Sequence, residues 1–136
     1  MKTIHHSPEG ARPSGPYTPA VEISLGGSRL LFVSGQGTKD PQTGERVLGD
    51  IALQARAALD NLLIVVEGSG FALSTIVKVT LYLKDMADYS AVNEVYADYF
   101  PAGACPARST VAVAGLPGGQ GIEIDAIAAK EEIPAG

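Results

Sequence analysis

The sequence predicts an α+β domain built on a single mixed β-sheet, with two helices lying on one face of it. Three observations carry that expectation. In several short runs apolar residues recur at every second position, the pattern of a half-buried strand. In two longer runs they recur at three- and four-residue spacing, the pattern of an amphipathic helix. The runs follow one another as two strands, helix, strand, helix, two strands, and right-handed crossovers within one sheet put both helices on the same side.

Residues 1–18, rich in Pro, Gly, Ser and His, read as an irregular entry with a short strand around residues 2–4. Residues 21–25 alternate, Gly26-Gly27 signals a two-residue turn, and residues 29–34 read as the return strand of a hairpin. Residues 35–49 carry Gly35, Gly37, Asp40-Pro41, Thr43-Gly44 and Gly49, the chemistry of a long functional loop. Asp50 is placed to cap a helix whose face is Ile51, Ala55, Leu59, Leu62 and Val66, and Gly68 and Gly70 end it. Residues 75–84 alternate cleanly as a strand. Residues 88–100 give the second helix, stopped by Pro101 and Gly103. The runs 109–114 and 122–129 flank a glycine-rich stretch, 115–121, and are expected to pair with each other as a hairpin with a wide loop. Successive apolar positions such as Leu30-Leu31-Phe32-Val33 imply cover on both faces of the sheet. No third helix is available, so the cover expected for the helix-free face is another copy of the chain in a closed symmetric oligomer.

At 136 residues the chain has the length of one domain, 1–136, able to build a core without staples. The net charge of −5 with scattered Lys and Arg argues against a surface that recruits nucleic-acid phosphates. The lone Cys105 cannot close an internal disulfide, the first residues lack the apolar run of a secretory signal, and no stretch approaches the roughly 18 apolar residues of a membrane span. A cytoplasmic protein is the expectation.

Two charges stand out because they interrupt strand-like runs: Arg108 in Cys105-Pro106-Ala107-Arg108-Ser109-Thr110-Val111, and Glu123 in Ile122-Glu123-Ile124-Asp125. Glu123 and Asp125 share the face opposite Ile122, Ile124, Ala126 and Ala128, while Arg108, Thr110 and Ala112 oppose Val111 and Val113. Spacing leaves two readings open. One is an ordinary ion pair at an edge or interface. The other is a carboxylate clamp beside a carboxylate base: the arginine fork matches a carboxylate, and a partly desolvated glutamate can direct or deprotonate water.

The chain resembles the RidA/YjgF family of reactive-intermediate deaminases, over nearly its whole length. The resemblance is carried by Gly15-Pro16-Tyr17, Ser34-Gly35-Gln36, Pro41-Gln42-Thr43-Gly44, Gln54-Ala55-Arg56-Ala57-Ala58-Leu59-Asp60-Asn61, Ile76-Val77-Lys78-Val79-Thr80, Val92-Asn93 with Tyr96 and Phe100, Pro106-Ala107-Arg108-Ser109 and Ile122-Glu123-Ile124. It implies a chorismate-mutase-like fold, a homotrimer with clefts between subunits, and neither metal nor cofactor. It also implies that Arg108 grips a substrate carboxylate and Glu123 positions the hydrolytic water. Tyr17, Ser34 and Gly35 would line the cleft, Asn93 would lie nearby, and Thr110 would offer backbone contacts. The implied activity is a 2-iminobutanoate/2-iminopropanoate deaminase that turns 2-aminoacrylate-type enamines and imines into 2-keto acids and ammonia. Rival readings are a pathway-specific enzyme such as a 2-aminomuconate deaminase, a ribonuclease or translation inhibitor, and a non-catalytic metabolite sensor. The acidic charge weighs against the RNA reading.

The remaining candidates read more plainly. Cys105 is expected to pack as a small hydrophobe, and His5-His6 to be a tail without the further ligands a metal needs. The 115–121 loop lacks the lysine and following helix of a phosphate loop and is expected to be a rim. Asp125 is expected in a supporting role. Gly37 and Gly115 stand where the family often carries a bulky aliphatic residue and an arginine, changes that would widen the cleft or remove charge from its rim.

Overall fold

The computed structural model describes residues 1–132. Six strands form one sheet, β1 (Lys2–His5), β2 (Ala20–Leu25), β3 (Ser28–Gln36), β4 (Ile76–Leu83), β5 (Ala107–Ala112) and β6 (Ile122–Glu131), in the order β1-β2-β3-β6-β4-β5. Two helices, α1 (Ile51–Gly68) and α2 (Tyr89–Tyr99), supply the second layer.

Local chemistry sets most boundaries. Gly26 and Gly27 take φ of 52° and 88°, the left-handed pair that a tight turn between twisted strands requires, and they register β2 on β3. Asp50 Oδ1 accepts from the Ala52 N–H at 2.9 Å, capping α1 as its position predicts. Gly70, with φ of 82°, reverses the chain beyond the other end of that helix.

The core lies between the helices and one face of the sheet. Ala55, Leu59, Leu62 and Val66 of α1 and Val92, Val95 and Tyr96 of α2 are buried there with Leu31, Val79, Leu81, Ile122 and Ile124 of the sheet. Every alternate residue of β6 from Ile122 to Ala128 is buried, so the period of two in the sequence marks this face. The opposite face carries no helix and leaves Phe32, Val77 and Val111 exposed.

The expected pairing of the two final runs is overturned. β5 runs parallel to β4 at the sheet edge, whereas β6 passes over to lie antiparallel between β3 and β4. Strands adjacent in sequence usually pair, but the nine-residue connection, Val113–Gly121, is long enough for this crossing, and the central slot gives β6 a partner on each edge, β4 over Ile122–Ala128 and β3 over Ile124 and Ala126–Glu131.

Candidate active site

Strand register decides where the charged residues point. Arg108 stands opposite Val79, a core residue, so its side chain projects toward the helix layer. Glu123 stands opposite Tyr82, on the helix-free face. Within one chain the two therefore lie on opposite faces of the sheet with β4 between their strands. No ion pair joins them within the chain, which overturns an ion pair at the edge of one subunit's sheet together with the idea that both line one cavity of the same subunit.

The expected site residues separate into two half-sites. In the first, Arg108 Nη2 donates to Asn93 Oδ1 at 2.7 Å and to Tyr89 Oη at 3.3 Å, and its guanidinium lies 4.7 Å from the centre of the Tyr96 ring. Helix α2 thus aims the arginine through one amide and two aromatic rings. Burial pushes the Tyr96 hydroxyl up to about 12, against the lowering influence of Arg108, so it stays protonated. The Thr110 and Tyr96 hydroxyl oxygens are buried here without a hydrogen-bond partner among the described residues.

In the second half-site, Tyr17, Gly35 and Glu123 line an open cleft that encloses only about 50 Å³ within this chain, less than a complete small-molecule pocket. Burial raises the half-buried Glu123 carboxyl above the ordinary range, Asp125 raises it further, and Arg46 opposes both. Asp125 is itself held by the Tyr82 hydroxyl, which donates to it at 2.8 Å. Gly35 is required by proximity rather than by φ: a Cβ there would lie 2.6 Å from Glu123 Oε2. Ser34 supports the wall indirectly, its hydroxyl donating to the Thr18 carbonyl at 2.6 Å, and the Tyr17 hydroxyl accepts from the Ser14 N–H.

Several residues of this cleft escape the sequence reading. Arg12, Lys39 and Arg46 line it, and Arg46 Nη1 donates to the buried Gln120 Oε1 at 2.8 Å. Gly37 does not widen the cleft: a Cβ there would fall onto the Gln120 carboxamide, so the missing side chain makes room for Gln120. Open space surrounds Gly115, whose added Cβ would meet nothing within 4 Å. Cys105 is exposed rather than packed, with Sγ near the Phe100 and Pro101 carbonyls at the end of α2. His5 is no free ligand, because its ring meets the buried Glu22 at 3.0 Å. Among the described residues no group of three or more His, Cys, Asp or Glu could hold a metal ion. Among the described residues no helix is long and apolar enough to cross a membrane.

Fold and cleft together define a one-sheet α+β domain that divides the expected site residues between two faces. The family model described as Endoribonuclease L-PSP matches residues 8–130, and the chain belongs to that family, the RidA/YjgF family. A RutC family protein of Pyrococcus horikoshii is 44% identical over 131 residues, 96% of this chain and 100% of that protein. The mouse protein named 2-iminobutanoate/2-iminopropanoate deaminase is 40% identical over 116 residues, 85% of this chain and 82% of that one. The crystal structure of E. coli TdcF with bound serine superposes with a TM-score of 0.82 at 35% identity, covering 94% of this chain and 98% of that one.

Proposed function

We propose that the protein is a hydrolase of 2-imino acids, converting 2-iminopropanoate, 2-iminobutanoate and related enamine-derived imines into 2-keto acids and ammonia. The observation that carries the reading is Glu123, a carboxylate raised by burial at the wall of an open cleft, with a glycine opposite that leaves room beside its oxygens. The name of the mouse relative supports the same chemistry.

The reaction asks little of a protein. Once an enamine tautomerises, C2 of the imine is electrophilic. Glu123 directs a water onto C2, takes one of its protons and passes it to the nitrogen; as the carbinolamine hydroxyl gives up its proton and becomes the keto carbonyl, the C2–N bond breaks and the nitrogen leaves as ammonia. Arg108 holds the substrate carboxylate through its guanidinium fork. Because Arg108 and Glu123 sit on opposite faces of one sheet, the proposal requires a neighbouring copy to bring one subunit's Arg108 against another's Glu123. A homotrimer in which the β5 edge and α2 of one subunit pack against the helix-free face of the next would satisfy that requirement.

The test generates imines in situ from alanine and 2-aminobutyrate with an amino-acid oxidase and follows keto-acid release. Wild type accelerates release, and Arg108→Ala and Glu123→Gln each lower kcat/KM by about a hundredfold or more. Equal rates with and without the protein overturn the reading. Mixing the two inactive variants in one assembly restores part of the activity only where the site spans two subunits.

A further inference from the structure

The basic residues of this acidic chain are unevenly placed: of the ten, Arg12, Lys39 and Arg46 line the same cleft as Glu123. None of the three makes an ion pair among the described residues. Lys39 and Arg46 face each other across an antiparallel bridge that ties the two limbs of the 35–49 loop. Like charges directly opposite destabilise such a bridge unless an anion lies between or beside them.

The protein nevertheless builds this arrangement with care. Gln120, 1% exposed, takes Arg46 Nη1 on the same carbonyl oxygen that accepts the Thr38 N–H at 3.0 Å. Room for that carboxamide exists only because residue 37 is glycine, and Gly118 leaves room for the stem of Arg46, which a Cβ there would strike. The remaining guanidinium nitrogens of Arg46 have no hydrogen-bond partner among the described residues. Lys39 Nζ has only the Arg12 carbonyl, at 3.4 Å. The result is a cationic wall held in place beside Glu123 and short of an anion.

We infer that Arg46, with Arg12 and Lys39, forms a subsite for a second, distal carboxylate, and that the preferred substrates are dicarboxylic 2-imino acids. The inference rests on the deaminase reading and specifies its substrate class. Arg108 would hold the carboxylate next to the imine carbon, and the cationic wall the one at the far end. Arg46 and Glu123 line the same cleft, so the cationic wall stands beside the reacting end of a bound imine and suits a short dicarboxylic acid. A guanidinium with unpaired N–H groups suits a planar carboxylate, and its neighbours supply charge without a second base.

The experiment compares kcat/KM for 2-iminoglutarate, made in situ by glutamate oxidase, with that for 2-iminobutanoate, and measures binding of glutarate and butyrate by calorimetry. Wild type is expected to favour the dicarboxylic imine, and to bind glutarate over butyrate, by about tenfold or more. Arg46→Met is expected to erase most of that ratio, and Arg12→Gln, on an exposed loop where folding is not at stake, to reduce it severalfold. A wild type that hydrolyses 2-iminobutanoate as well as 2-iminoglutarate overturns the inference and leaves the deaminase reading standing. Glutarate binding that depends on Arg46 in a protein that hydrolyses neither imine upholds the subsite and overturns the deaminase reading. Binding of a short RNA in place of glutarate, or of glutarate no more tightly than butyrate, overturns the subsite.

Discussion

Glu123 combines a catalytic requirement with a stability cost, and both signs follow from its position. Its folded-state pKa is raised, so it stabilises the fold when protonated, below about pH 4, and that contribution is lost as pH rises through the raised value. Glu123→Gln is therefore expected to melt at or above the wild-type temperature at pH 7, with the gap closing toward pH 4, while activity collapses. Calorimetric scans across that range check it. The acid limb of the kcat/KM profile is expected above the ordinary glutamate value, and Arg46→Met to move it higher still, because the one lowering influence is gone. Gly35→Ala places a methyl 2.6 Å from Glu123 Oε2 and should cut kcat/KM by about tenfold or more with the circular dichroism spectrum unchanged. Glu123, Arg108, Tyr17 and Gly35 were legible in the sequence because each interrupts a periodic run or sits in a recurrent motif. Arg46 and Gln120 were not: they lie in aperiodic loops 74 positions apart, and only the folded chain brings them together.

Most elements begin and end within about two residues of where short-range chemistry says they should, as with β5 at Ala107–Ala112 rather than 109–114, and the larger errors lie in how elements pair. The Asp50 cap is one such local device; Asp50→Ala is expected to cost about 0.5–2 kcal/mol, read as a lower urea midpoint at constant slope. The Gly26-Gly27 turn fixes a hairpin from two adjacent residues, so β2 and β3 could be paired by inspection. The partner of β6 could not. Its alternation reveals which face is buried but is silent on which edges it joins, and the choice between β5 and the slot beside β3 depends on contacts made across the whole chain. That misassigned pairing also concealed which faces the two charges occupy, since the sides of Arg108 and Glu123 follow from their registers with β4.

At the scale of the whole molecule, the sheet face without helices carries exposed apolar side chains among its polar ones and asks for a cover. Phe32, Val77 and Val111 expose 40%, 48% and 44% of their surface there, more than a lone domain of this size gains by showing. Phe32→Glu is expected to shift the assembly to monomer in sedimentation velocity and to abolish imine hydrolysis with it, because a separated subunit keeps only half of each proposed site. The arrangement of the sheet has a further consequence for how the chain matures. β6 comes after the other five strands yet occupies the middle of the sheet, so a nascent chain lacking it holds two separate pieces, β1-β2-β3 and β4-β5, each with an open edge. Pairings such as Val33 with Ala126 span most of the sequence, which slows folding and prolongs the time those edges are bare. The strand that welds the two pieces together also carries Glu123, so the carboxylate arrives only with the closing step, and no partly assembled sheet possesses it.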